Sequence, residues 1–202
     1  MLDKIKKTGI TYADFIQLME ETVATPPPAD ADETTLEKLG YFPLNLRRMK
    51  RIYTTFKPDS DALAAFNEVK GNQTWMIISE GWCGDTAQNV PVIKRLAELQ
   101  KNIEVKIILR DTYPEIMDNY LTNGARSIPK LVAFDEEGNE LFQWGARPEP
   151  IYSIMKGHIS AGMSKQDREE ILHAWYAKDG GKSTAGEIVN LVKQSAAAEV
   201  TQ

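Results

Sequence analysis

The chain has one cysteine, Cys83, set in the run Ser79-Glu80-Gly81-Trp82-Cys83-Gly84-Asp85-Thr86. An apolar stretch of strand length leads into it and a helical pattern leads out. The free backbone N–H groups at a helix start favour a thiolate, so this is a place where a thiol becomes a nucleophile. Three neighbours bear on that charge. Thr86 can turn its hydroxyl toward the sulfur, Asp85 opposes the thiolate by like-charge repulsion, and Arg126 can supply a compensating cation if its loop borders the sulfur. The balance predicts a mildly depressed thiol pKa. Thr86 also occupies the position at which a redox dithiol carries its second sulfur, so Cys83 cannot clear a mixed disulfide by internal attack.

Other chemistries find little footing. His158 and His173 stand on separate helical stretches without metal-ligand spacing around them and read as surface or packing residues. There is no glycine-rich phosphate loop. The formal charge of −5 argues against a nucleic-acid surface. One basic run, Arg47-Arg48-Met49-Lys50-Arg51, reads as the solvated face of a helix, with a docking patch for an anionic partner as the alternative. No apolar run reaches the ~20 residues of a membrane span, and the N-terminus lacks the apolar block of a secretory signal. With a lone cysteine, these features lead to the expectation of a reducing, cytoplasmic setting.

The elements that must position Cys83 follow from periodicity. A helix is expected over residues 10–22, with Thr11 and Asp14 as its cap, then a linker at Pro26-Pro27-Pro28. Further helices are expected near 44–57 and 61–69, the second with Leu63 and Phe66 on its buried side. Residues 74–79 form a continuous apolar run, which predicts a strand buried on both faces. A helix over 86–101 follows, interrupted by Pro91, then a strand at 103–109 and a short helix from Pro114 to Leu121. A strand at 128–134, the turn 135–139 and a return strand at 140–144 make a hairpin. Helices close the chain at about 149–162, 164–178 and 183–196. The helical crossover makes the first two strands parallel, and the hairpin makes the last two antiparallel. The fold class is α/β: a mixed sheet flanked by helices.

This order resembles the thioredoxin fold, carried by Trp82-Cys83-Gly84-Asp85 at the strand-to-helix junction, Pro91 in the next helix, Ser127-Ile128-Pro129 before the third strand, and Gly145 after the last one. More narrowly, the chain is similar to a bacterial subfamily with a Trp-Cys-Gly-Asp loop, its flanks including Leu44-Asn45-Leu46-Arg47-Arg48-Met49. The resemblance implies a core over 61–147, with helical segments at 1–60 and 148–202 packed on it. It implies a cis bond before Pro129, with the Ile128 backbone offered to a substrate beside the sulfur. Cys83 and Thr86 then carry the chemistry, while Trp82, Gly84, Asp85, Arg126, Ser127, Ile128 and Pro129 form the substrate surface.

In that family a buried acid lies six residues before the first cysteine; here the position is Ile77. The second sulfur and the acid that would serve it are absent together. The expected activity is therefore monothiol thiol–disulfide exchange, without a cofactor or metal, in which glutathione or another thiol resolves the mixed disulfide. The expected partner is a protein or small-molecule thiol or disulfide, not nucleic acid or membrane. Two alternatives stay open: a non-catalytic peptide-binding module that keeps the groove beside Pro129, and a homodimer linked through Cys83.

Overall fold

The computed structural model describes residues 1–199. Its centre is the strand β1 (Gln73–Ser79), all seven residues of which are buried. Alternation along it splits the core in two. Trp75 and Ile77 face one layer, with Phe15, Met49, Phe66 and Val90. Met76 and Ile78 face the other, with Ile5, Ile116 and Met117.

β2 (Ile103–Leu109) lies parallel to β1, pairing Gln73 with Ile103 through Ser79 with Leu109. β3 (Lys130–Phe134) is antiparallel on the other side of β1, with Ile77 opposite Leu131, and β4 (Glu140–Gly145) is antiparallel to β3. The order is β2-β1-β3-β4, the mixed sheet expected from the connections. Ile10 exchanges backbone hydrogen bonds with Ile107, so the residue expected to open a helix instead covers part of the β2 edge.

Helices coat both faces. α1 (Leu2–Thr8) precedes Ile10, and its Ile5 is fully buried; the sequence reading did not identify this helix. α2 (Tyr12–Ala24) begins at the Thr11/Asp14 capping box. α3 (Glu33–Thr55) is eleven residues longer at its start than expected, because Asp32 caps it through Thr35 N–H at 2.7 Å and the helix runs through Pro43. α4 (Ser60–Asn67) is capped by Asp59. Phe66 is fully buried there, but Leu63 is 49% exposed, contrary to expectation: it lies on the outer face of this short helix.

α5 (Gly84–Ala97) starts and ends earlier than the pattern suggested, and α6 (Pro114–Met117) is a single turn. After the sheet come α7 (Glu149–Ser160), α8 (Lys165–Asp179) and α9 (Lys182–Glu199); residues 200–202 of the C-terminal segment lie outside the described residues. α3 packs along α5, and α9 packs on α4, α5 and β4. α5 therefore sits between the sheet and the outer helices, with its first turn at their junction.

Candidate active site around Cys83

β1 delivers the chain to Ser79, and Gly81 makes the tight approach that follows. Asn45 of α3 donates its amide to the Gly81 carbonyl at 3.0 Å, and a Cβ at Gly81 would strike the Phe42 ring. Cys83 occupies the N-cap position of α5. Its Sγ donates to the Ile128 carbonyl at 3.5 Å, and the Ile128–Pro129 bond is cis. Gly145 fits behind this loop because it has φ +124, and any Cβ there would collide with the Pro129 carbonyl.

The backbone N–H groups of Asp85 and Thr86 and the Thr86 hydroxyl are directed at the sulfur and favour its charge. Thr86 is fully buried, with Oγ1 2.8 Å from Ser79 Oγ. These donors are outweighed. Burial, reinforced by the Asp85 carboxylate, pushes the thiol up to about 11. The expectation of a depressed pKa is corrected: the sequence shows the local dipoles, but tertiary packing leaves Cys83 only 8% exposed.

Arg126 is also corrected. It lies on the recess beside Cys83, but its guanidinium grips Asp118 through two hydrogen bonds of 2.7 and 2.8 Å. The cation that meets Asp85 is Arg147, just beyond β4, with Nε and Nη2 each 2.8 Å from Oδ2. Tyr176 of α8 donates its hydroxyl to Oδ1 at 2.8 Å. Asn89 then bonds both the Asp85 carbonyl and the Tyr176 hydroxyl, and accepts from Thr184 of α9 at 2.6 Å. For Asp85, burial exceeds the pull of Arg147, so its carboxyl is pushed up from the ordinary value. The Arg147 guanidinium is held firmly charged by that carboxylate.

Two recesses meet at the sulfur. One, of about 280 Å3, includes Trp82, Ser127 and Ile128. The other, of about 220 Å3, includes Arg48, Gly84 and His173. Trp82 separates them and is flanked by cations, with Lys38 and Arg110 at 4.9 and 4.7 Å from its ring centroid. Thus Trp82, Cys83, Gly84, Asp85, Thr86, Ser127, Ile128 and Pro129 converge, as expected, and Arg126 stands at the rim.

Sequence reasoning missed Arg147, Tyr176, Asn89, Arg48 and the placement of His173. Arg147-Pro148 carried a signal only as a strand breaker, and the helical stripe did not reveal which face of α8 meets α5. His158 remains half-buried in the last turn of α7, away from these contacts.

Among the described residues, no group of three or more His, Cys, Asp or Glu side chains is placed to hold a metal ion, and no helix is long and apolar enough to cross a membrane. A search of curated proteins finds no match. Two solved structures share the fold at 17% identity. One is a protein of unknown function from Pseudomonas aeruginosa, with TM-score 0.60 over 95% of this chain and 96% of that one. The other is an HIV epitope-scaffold, with TM-score 0.62 over 95% and 97%. The sequence profile of the family described as Thioredoxin matches residues 37–171. That span takes in most of α3, the sheet, the cysteine loop and part of α8, and the chain belongs to the thioredoxin family.

Proposed function

We propose that this protein carries out monothiol thiol–disulfide exchange at Cys83, within a bacterial Trp-Cys-Gly-Asp branch of the family. The observation that carries the reading is the seat of the sulfur. It lies at the α5 start, against the Ile128 carbonyl beside cis-Pro129, on the shared wall of two recesses. In the first step the Cys83 thiol loses its proton to solvent and the thiolate attacks one sulfur of a disulfide. A new S–S bond forms to Cys83 and the other sulfur leaves as a thiolate, which takes up a proton. In the second step an external thiol, glutathione or a protein thiol, attacks the mixed disulfide and Cys83 leaves as thiolate. Over the two steps the external thiol takes the place of the released one: one thiol enters a disulfide, one thiol is set free, and the number of disulfides is unchanged. The dependence on an external thiol suits a reducing compartment, and we place the protein in the cytoplasm.

A thiol near 11 has a cost. Against a free cysteine near 8.5, the thiolate fraction at neutral pH falls about 300-fold, and the greater nucleophilicity of the more basic thiolate recovers about 20-fold. The net reaction is roughly 10- to 30-fold slower than that of free cysteine, before any acceleration by binding. The burial of Cys83 and its raised pKa favour a second reading, a binding module in which Cys83 is a packing residue. Incubation with oxidised glutathione, followed by intact mass and turnover, separates the two. A stoichiometric Cys83 adduct on the folded protein with glutathione-dependent turnover supports exchange. An adduct formed only after unfolding leaves the binding module.

A further inference from the structure

We propose that the recess between α3 and α8 is a subsite for the carboxylate of a low-molecular-weight thiol or disulfide that reacts at Cys83; the substrate assignment rests on the exchange reading above. The argument starts with Arg48. Its Nη1 donates to Asn45 Oδ1 at 3.2 Å, and among the described residues no carboxylate pairs with it. The guanidinium is half-buried, and both burial and the charge of Arg51 disfavour its own charge. An unpaired guanidinium in that position gains from a carboxylate, which it can meet with two parallel N–H bonds.

The other cations in the recess are already committed. Arg147 belongs to Asp85. Lys165 is held by Glu37 at 2.8 Å and lies 3.9 Å from Glu169. Among the described residues, Arg48 is therefore the one of these three cations that meets no carboxylate, Glu169 lining the recess beside Lys165 instead, and Cys83 lines the same recess.

His173 supplies the second feature. It stands over the first residue of α5, so close that a Cβ at Gly84 would lie 3.2 Å from Cε1 and 3.8 Å from Nε2. Its Nδ1 is enclosed without a hydrogen-bond partner. Burial and the charges of Arg48 and Arg147 push the imidazole down to about 4, so the ring is neutral at pH 7 and can donate one N–H. The positive potential that resists protonation of this ring favours an anion beside it. A recess of about 220 Å3 suits a small molecule, and the sulfur at its edge lets one ligand present a carboxylate to Arg48 and a sulfur to Cys83.

Two reagents of nearly equal size, iodoacetate and iodoacetamide, test this. Each alkylates the Cys83 thiolate with loss of iodide, so any change in thiol pKa cancels in the ratio of their rates. Against the ratio for an unstructured cysteine peptide, the folded protein is expected to favour iodoacetate. Arg48→Gln is expected to cut that preference about tenfold, the scale of a charged hydrogen bond, while Arg48→Lys retains most of it. An unchanged ratio in Arg48→Gln overturns the subsite. Should neither reagent modify folded protein, the exchange reading fails, and NMR titration with the unreactive thioether (methylthio)acetate decides the anion site by itself. Saturable shifts at Gly84 and His173 that Arg48→Gln weakens about tenfold support it, and their absence in the unaltered protein refutes it.

Discussion

Asp85→Asn is expected to make Cys83 more reactive, although it removes a charge from the candidate site. The Asp85 carboxylate accepts from Arg147 Nε and Nη2 and from the Tyr176 hydroxyl, each at 2.8 Å. An amide of the same shape can accept from Arg147 and donate to the Tyr176 oxygen, which also accepts from Asn89, at the cost of the acceptor that the Tyr176 hydroxyl proton had. Exchanging charged for neutral hydrogen bonds costs about 1–2 kcal/mol of stability. The thiol gains in the same change. For scale, two unit charges about 6 Å apart in an effective dielectric of about 20 interact by about 3 kcal/mol, or close to two pKa units. Screening through the open recesses lowers that figure, and burial, the larger cause of the shift, remains. The Cys83 pKa should fall from about 11 by roughly one to two units.

The assay is the rate of iodoacetamide alkylation followed by intact mass across about pH 7 to 10, a window that spans the ordinary thiol value. In the unaltered protein the rate should climb tenfold per pH unit throughout. In Asp85→Asn it should stand higher at neutral pH and bend toward a plateau at the top of the range. A profile that coincides with the parent would show that Asp85 does not oppose the thiolate. A parent profile that levels near pH 8.5 would refute the burial argument itself.

Three further outcomes follow from the same contacts. His173 is held at about 4, so the unfolded chain takes up its proton first as the solution is acidified. The native state should lose about 1–2 kcal/mol between pH 6.5 and 4, allowing for solvent screening, and His173→Gln should flatten that limb in urea unfolding measured at both ends. Gly145→Ala forces a side chain at φ +124 into the Pro129 carbonyl and should destabilise by about 3 kcal/mol or more, read in thermal or denaturant unfolding. Thr86→Cys supplies the resolving thiol, so a glutathione adduct at Cys83 should collapse to an internal disulfide with release of one glutathione. The release should be slow because position 77 is Ile, and an adduct that persists as in the parent would refute this account of Thr86.

What the sequence disclosed divides along sequence separation. β1 is a contiguous apolar run and β2 alternates before it turns apolar, so the extent of each follows from its own seven residues. The Thr11/Asp14 cap of α2 was legible in the same way, whereas the convergence of Cys83 with Ile128-Pro129, 45 residues apart, followed from the resemblance to the thioredoxin fold. The start of α3 was not legible, because Pro43 argues against a helix at that point while an Asp32 cap and packing on α5 override it. The partners of Asp85 were illegible for a different reason. Arg147 and Tyr176 lie 62 and 91 residues away, and no local pattern says which of several cations will arrive. Arg126 was the nearer choice in sequence, but Asp118, eight residues from it, claims it first.

That division has a chemical consequence. The elements that place Cys83 at a helix start all lie in the strand–helix–strand core, and by themselves they favour a thiolate. The groups that modify this effect come largely from outside it: Tyr176 and His173 from α8, Asn45 and Arg48 from α3, Arg147 just past β4. Tyr176 and Arg147 fix a carboxylate beside the thiol, and the packed loop leaves the sulfur little exposed to water. Among the described residues, Arg48 brings a charge that no carboxylate answers. If Cys83 carries out the proposed exchange, a thiol enclosed in this way is expected to react poorly with disulfides at large and best with one whose own charge fits the recess. The helical segments therefore make selectivity, more than general reactivity, the property to measure at Cys83.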